Sequence, residues 1–445
     1  MLFIGEEAVV DKKGSGNIHQ YHIVLPYHAI HYKSSCLTML GQDNLERVAR
    51  GLLADAGFEL LHSEQLQALW AGYGFIYAVE AKRIASDSIP SLPDGCLLGA
   101  DGRIHLVLKI IWPPDTSSEE GHLRKLFSYE VEQYFYEVIA PSLPPGVAVA
   151  KCLASTRTFT PDLAGSMKNV TATLMTDLRG QFPIAGEKSS DLSTAQVYSA
   201  IKWLADFHGS SCSKQDYNTM DGLLLPPIEE MAARRSGEKL APRSIWLNGG
   251  YTYLATRRTE YASLASSSDS EWPERFCDSA GGMSSIAEKV ANFLAPKGRP
   301  FESFIHGDVK SENLFSTESG DSVAFFDFQY VGLGVGASDL AKLLTCSVPL
   351  QMLISMSASL PDNIAMQKVE LELLKQYHQL LTQHDRGDGI KYDFSEFRRH
   401  WETALVDWCR FQASWGFWGN TRWLQGRVRS ILCDDGWRGW LDLQE

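Results

Sequence analysis

The stretch from Phe304 to Leu344 decides the reading of this chain: FIHGDVKSENLF (304–315), then SVAFFDFQYVGLGVGASDLAKLL (322–344). At its centre, His306-Gly307-Asp308-Val309-Lys310-Ser311-Glu312-Asn313 sets an aspartate and an asparagine five residues apart. Fourteen residues beyond Asn313 comes Asp327, after an apolar run (Val323 to Phe326) that reads as a short buried strand. Such a loop-then-strand layout lets groups distant in sequence meet at one ion. Phosphoryl transfer needs a carboxylate for the acceptor hydroxyl and two hard oxygen ligands for magnesium on the ATP phosphates. Asp308 fits the first role, and Asn313 and Asp327 fit the second.

These residues also carry a family resemblance. HGDxxxxN, a strand ending in Asp327, glycine-rich residues and a second aspartate, Asp339, resemble the aminoglycoside phosphotransferase and choline-kinase-like superfamily. Asp327-Phe328-Gln329 and Ser338-Asp339-Leu340-Ala341 are most similar to its CHK kinase-like branch, which includes ecdysteroid-kinase-like proteins. Two blocks agree in residues, order and spacing, so the signal is specific. The bland alternative is a buried HGD turn beside an unrelated strand. The resemblance implies an α/β (α+β) bilobal, protein-kinase-like fold with ATP between the lobes. A small sheet-containing N-lobe with an N-terminal extension would span residues 1–176, and a large, mostly helical C-lobe residues 177–445. It covers roughly residues 65–347 and leaves both ends of the chain outside.

The rest of the composition agrees with a globular protein of one large or two medium cores: 445 residues, 44% hydrophobic, 11% aromatic and 21% charged. A net charge of −13 disfavours a nucleic-acid partner, which would want a basic face. No apolar run approaches the ~18 residues of a membrane span. The start, Met-Leu-Phe-Ile-Gly, meets Glu6 and Glu7 at once, unlike a secretory leader. Eight cysteines without paired spacing predict reduced thiols in a cytoplasmic protein.

Upstream of the decisive stretch, residues 1 to 45 place His19, His22, His28 and His31 among β-formers. Two H-x-x-H pairs could hold zinc. In an extended segment, however, such residues fall on opposite faces, and no cysteine or carboxylate completes the set. An N-terminal hairpin or arm is the preferred reading. Asn44 to Gly57 is patterned as an amphipathic helix. Gly72-Tyr73-Gly74 then lies between two strand-like runs, where glycine lets backbone N–H groups approach phosphate oxygens. Alone that motif is weak, but its place ahead of the next elements points to a nucleotide-covering loop. Residues 87–103 read as a turn-rich surface insertion.

Lys109 interrupts the apolar strand Ile104 to Ile111, and an unpaired buried charge is costly. A kinase supplies two partners for it, the nucleotide phosphates and a glutamate on the next helix. Within Glu119 to Ile139, the resemblance to an E-x-x-F-Y block favours Glu132 over Glu130. The plain alternative for each is a snorkelling surface charge. The resemblance further places the lobe junction, where backbone meets adenine, at Met175, Thr176, Asp177 and Leu178. Ser193 to His208 is a well-patterned helix whose end resembles the L-A-x-F-H helix of the superfamily, which implies a structural, hydrogen-bonded His208 rather than a catalytic base. By analogy with related kinases, the loosely patterned 223–282 segment shapes the acceptor pocket.

After the central block, residues 340–347, 363–384 and 394–432 are expected to be helical. Trp408, Phe411 and Trp415 share one face of the last of these. They are read as a core stripe, with an aromatic wall for a flat or cationic acceptor as the alternative.

The resulting scheme is an ATP- and Mg²⁺-dependent phosphotransferase acting on a small-molecule alcohol acceptor: an amino alcohol, sterol, sugar or antibiotic-like compound. Asp308 would orient the hydroxyl and take its proton, and Lys310 would contact the transferred phosphate, as in Ser/Thr protein kinases. Lys109, held by Glu132, would grip the phosphates, while Asn313 and Asp327 hold magnesium. Asp339 is expected to brace the loop by hydrogen bonds. A protein kinase is disfavoured because Asp339 follows Asp327 after only 11 residues and no Ala-Pro-Glu segment follows. A pseudokinase scaffold is disfavoured because every chemical position is filled.

Overall fold

The computed structural model describes residues 44–69, 72–84, 92, 95–99, 101–113, 119–158, 170–212, 222–236, 244–279, 284–355, 360–384 and 391–444. The N-terminal histidine pairs and part of the 87–103 insertion lie outside the described residues. The chain separates into two compact units. One holds the described residues before 117 together with 150–180; the other holds 117–149 and 181 onward. A sheet-containing unit and a helical unit give the expected bilobal α/β kinase-like fold.

The first unit is a five-stranded antiparallel sheet packed on one helix. The helix, α1 (residues 44–55), buries Val48, Leu52 and Leu53 in a 3.6-residue stripe. The strands are β1 (Phe58–Ala68), β2 (Gly74–Arg83), β3 (Ile104–Ile111), β4 (Cys152–Ser155) and β5 (Thr171–Thr176), in spatial order β1-β2-β3-β5-β4. Alternation sorts their side chains. Ile104, Leu106, Leu108 and Ile110 of β3 join Val79, Ala81, Ala172, Leu174 and α1 in one core. Lys109 sits on the opposite face of this central strand, facing Ile76 in β2 and Thr173 in β5.

The second unit is mostly helical. It contains α2 (Glu120–Tyr134), α3 (Thr194–Cys212), α4 (Pro227–Arg235), α5 (Arg258–Ala265), α6 (Trp272–Cys277) and α7 (Ile286–Leu294). Farther on come α8 (Ala337–Cys346), α9 (Lys368–Leu381), α10 (Phe394–Trp415), α11 (Thr421–Leu432) and α12 (Asp435–Asp442). Two small sheets carry the chemistry-bearing loops. β7 (Glu302–Ile305) pairs with β10 (Gly332–Val335), while β8 (Leu314–Ser316) lies between β6 (Ile184–Ala185) and β9 (Val323–Phe325).

Two details depart from the sequence reading. The α2 segment groups with the helical unit, not with the sheet that precedes it. The cause is packing. α2 continues through a π-helical turn, Phe135–Ile139, and Phe135 stacks on Phe328 with ring centroids 3.7 Å apart. Arg124 donates to Thr256 Oγ1 (3.2 Å), and Ser128 donates to Gln329 Oε1 (3.2 Å). The second departure is that 394–432 is two helices. The chain leaves α10 at Gly416, φ +140°, and turns again at Gly419, φ +72°, conformations that glycine alone adopts cheaply. Among the described residues no helix is long and apolar enough to cross a membrane.

Candidate active site

The loop that leaves β7 is built around a glycine. Gly307 has φ +86°, and a Cβ there would lie 2.5 Å from the Tyr330 carbonyl oxygen and 2.7 Å from Gly250 N. Both neighbours are backbone, so no side chain is accommodated. Asp339, fully buried near the start of α8, holds the turn: the His306 N–H donates to its Oδ2 (2.6 Å) and the Gly307 N–H to its Oδ1 (2.9 Å). His208 Nε2 reaches the same carboxylate at 3.2 Å, and His208 Nδ1 meets the Tyr377 hydroxyl at 2.7 Å. These contacts give Asp339 and His208 the bracing, structural places expected of them.

The His306 ring ties the turn to β9. Its Nδ1 accepts the Asp308 N–H (3.3 Å), so Nε2 carries the hydrogen and donates to the Phe326 carbonyl (3.0 Å). Burial lowers the pKa of this imidazole, which keeps the ring neutral.

Asp308, Lys310 and Asn313 come together. The Asn313 amide donates through Nδ2 to the Asp308 carbonyl (2.8 Å) and to Asp308 Oδ2 (3.0 Å). Those two acceptors fix which way the amide faces, and its Oδ1 is left buried with no hydrogen-bond partner among the described residues. Lys310 Nζ stands 3.3 Å from Asp308 Oδ2 and 3.3 Å from Glu312 Oε1. Burial alone would depress its ammonium, but the charges of Asp308, Tyr251 and Glu312 lift it well above the ordinary lysine value.

The β8–β9 hairpin delivers Asp327. Leu314 pairs with Phe325, and the Phe326 N–H donates to the Asn313 carbonyl (3.0 Å). Asp327 is therefore one residue beyond the one bonded to Asn313. It is buried, with left-handed backbone angles φ +66° and ψ +60°. A non-glycine residue held there is strained, a condition that clusters at functional sites. Downstream, Gln329 Oε1 accepts from Ser128 and the Gln329 carbonyl accepts from Trp246 Nε1 (2.9 Å), so the Asp-Phe-Gln turn is anchored on both sides.

Asn313 and Asp327 are the residues that could hold a divalent ion. The Asn313 Oδ1 and the Asp327 carboxylate are hard oxygens, and the first has no hydrogen-bond partner among the described residues. No group of three or more His, Cys, Asp or Glu that could hold a metal occurs among the described residues. An ion on Asn313 and Asp327 would therefore take its remaining ligands from phosphate and water, as magnesium does.

The remaining candidates are placed as follows. Glu132 of α2 is 5% exposed, whereas Glu130 is taken up by Arg234 through bonds of 3.1 and 2.8 Å. Lys109, also 5% exposed, lies in the sheet unit. There Gly72, Tyr73 and Gly74 form the β1–β2 turn, in which the Gly72 N–H donates to the Leu69 carbonyl (3.1 Å). At the end of β5, Met175 and Thr176 are buried, and the Thr176 N–H donates to the Lys151 carbonyl (3.0 Å). Asp177 is bound by the Arg179 guanidinium at 2.6 to 3.1 Å, and Leu178 opens a short 3-10 turn.

Sequence reasoning missed Tyr251. The segment from Trp246 runs along β10, with the Gly249 N–H donating to the Leu333 carbonyl (2.7 Å) and Gly250 N–H to the Tyr330 carbonyl (2.9 Å). Tyr251 follows, and burial together with the Asp308 charge raises its phenol well above the ordinary value. The paired glycines before it were the available signal. The Trp408, Phe411 and Trp415 face, read as a core stripe, is buried at two of its three positions. Trp408 and Phe411 are 4% and 1% exposed, and the cation over Phe411 and Trp415 is the protein's own Arg257, at 5.3 and 5.1 Å.

A model of the ecdysteroid kinase-like family matches residues 99–386. Among solved structures, this chain is similar to amicoumacin kinase in complex with AMP-PNP, Ca²⁺ and Ami, at 12% identity over 94% of each chain with a TM-score of 0.40. It is also similar to choline kinase from Cryptosporidium parvum Iowa II, at 11% identity over 90% of this chain and 100% of that one, TM-score 0.44. Ethanolamine kinase of Plasmodium vivax is similar at 12% identity over 94% and 93%, TM-score 0.39. No curated protein matches the chain.

Proposed function

Because this chain belongs to the ecdysteroid kinase-like family, we propose that it transfers a phosphoryl group from Mg-ATP to a hydroxyl of a small molecule. The observation that carries this reading is the Asn313 amide, whose nitrogen is committed to Asp308 while its oxygen is buried and unpaired. Most buried side-chain amides find partners for both ends. One that keeps an oxygen open beside a catalytic carboxylate suits a metal ligand.

In this reading Asn313 and Asp327 hold a magnesium ion, which when bound neutralises charge on the phosphates. Asp308 accepts a hydrogen bond from the acceptor hydroxyl and takes its proton as the oxygen attacks. His306 and Asp339 hold the main chain on which that carboxylate stands. Lys310, charged between Asp308 and Glu312, is positioned to follow the phosphoryl group as negative charge shifts toward the acceptor. Lys109 binds the nucleotide phosphates, the role that its place as the one charge in an apolar strand supports. The amide of Thr176 is used within the sheet, so adenine contact falls to the backbone of Asp177 and Leu178. Little covalent work is left to the protein, and positioning supplies much of the rate.

Two measurements test this. Lys109→Ala should weaken Mg-ATP binding about 10- to 100-fold, the equivalent of a ~1.5–3 kcal/mol charged hydrogen bond, with the fold intact by circular dichroism. Unchanged affinity would remove the assignment of Lys109. Stripping divalent ions with EDTA should abolish turnover against a panel of alcohols, and added Mg²⁺ should restore it. Turnover that survives without a divalent ion would sink the metal role of Asn313 and Asp327.

A further inference from the structure

A cavity of about 270 Å³ lies in the helical unit, walled by residues 248–258, α7, α8 and α10. Asp308, Lys310, Asn313 and Asp327 are not in its wall. Lys342 and Trp408 are. Lys342 is 4% exposed, yet among the described residues its ammonium makes no hydrogen bond or ion pair and lies only over the Trp408 ring, 5.8 Å from its centroid. The Trp408 indole N–H is likewise buried without an acceptor.

The neighbouring charges are already matched. Arg258 pairs with Glu288, and Asp407 pairs with Arg410 at 2.8 Å. Asp339 feels the Lys342 charge, but without contact, its oxygens being taken by His306, Gly307 and His208. The wall therefore holds two buried donors, Lys342 Nζ and Trp408 Nε1, with no acceptor among the described residues, a costly arrangement unless something supplies the oxygens. The remainder of the lining includes Leu254, Leu294, Ile305 and Ala404, which suit an apolar body. The volume corresponds to about nine waters at ~30 Å³ each, room for a small organic molecule.

We propose that this cavity is a binding site for a small organic anion, a carboxylate on an apolar ring or chain, with Lys342 and Trp408 as the donors to its oxygens. The site touches the back of the catalytic loop. Ile305 immediately precedes His306, Ser338 adjoins Asp339, and Gly249 adjoins Gly250, which packs on Gly307. An occupant would thus act as an effector of the loop, and its binding does not depend on the phosphoryl-transfer reading.

The test uses the intact chain and three probes of one shape, benzoate, benzamide and benzylammonium, followed by calorimetry and thermal shift. Benzoate should bind at least tenfold tighter than benzamide, and benzylammonium should not bind. Lys342→Met, which keeps the length of the side chain, should lower benzoate affinity at least tenfold and leave benzamide unchanged. Equal binding of benzoate and benzamide, preference for benzylammonium, or no binding of any probe at millimolar concentration overturns the proposal. So does benzoate affinity that is unchanged in Lys342→Met. The charge series on the unaltered protein decides the matter even where the variant is unstable.

Discussion

Asp308→Asn should lose about 10²–10⁴ in turnover, the usual cost of removing a positioned general base, while keeping its thermal stabilisation by Mg-ATP. The amide has nearly the same volume, and its oxygen can still accept from Asn313 Nδ2, now at 3.0 Å from the Asp308 carboxylate. What disappears is the proton acceptor and the ion pair with Lys310. Asp327→Asn should behave differently. A neutral amide is a poorer magnesium ligand, so turnover and the metal-dependent part of the stabilisation should fall together. Melting curves with and without Mg-ATP, plus a turnover assay, separate the two. If both variants lost nucleotide binding alike, Asp308 would be a structural or metal residue and the division of roles would be wrong.

The largest effect on stability is expected at Asp339. Asp339→Ala leaves the amides of His306 and Gly307 and the ring of His208 without their acceptor. Unpaired buried groups cost about 1–3 kcal/mol each, so the loss of three acceptor contacts should be about 3–9 kcal/mol, much of the ~5–15 kcal/mol that holds a typical domain. Asp339→Asn keeps one acceptor oxygen and should lose roughly half as much. Burial alone would raise the Asp339 carboxyl, but the hydrogen bond and charge of His208, then Lys342, bring it below the ordinary carboxylate value. A depressed carboxylate contributes stability that is complete above the unfolded pKa and is lost as pH falls through the folded one. The parent should therefore show an acid-side loss that Asp339→Ala lacks. A denaturation midpoint that moves by less than about 1 kcal/mol in Asp339→Ala would end the bracing role.

The parts legible in the sequence are those where one local pattern carries the meaning. The apolar run Ile104–Ile111 exposed both the strand and the odd lysine in it. The HGDxxxxN spacing placed Asp308 and Asn313 in one loop, and the apolar run Val323–Phe326 announced the strand that delivers Asp327. What was not legible depends on long-range packing. Nothing in EGHLRKLFSYEVEQYFYEVI says that it joins the later helices, because the Phe135–Phe328 stack joins residues almost half the chain apart. Lys342 in ASDLAKLL looks like any exposed helical charge, yet it is buried. The 246–252 segment has no periodicity, since backbone bonds to β10 hold it rather than a buried side-chain stripe. The break after α10 could have been read from Gly416 and Gly419, and was masked by the aromatic pattern continuing through it.

The left-handed backbone at Asp327 sets a trade-off between durability and activity. That conformation costs most side-chain-bearing residues about 1–2 kcal/mol, less for asparagine and aspartate, and glycine alone adopts it freely. Glycine has no carboxylate. With Asp327 as the proposed metal ligand, the change that relieves the strain is the one that deletes the ligand, and random variation selected only for a higher melting temperature would drift toward an inert protein at this position. In the proposed reading, improvement of this scaffold for heat resistance has to be sought elsewhere in the chain.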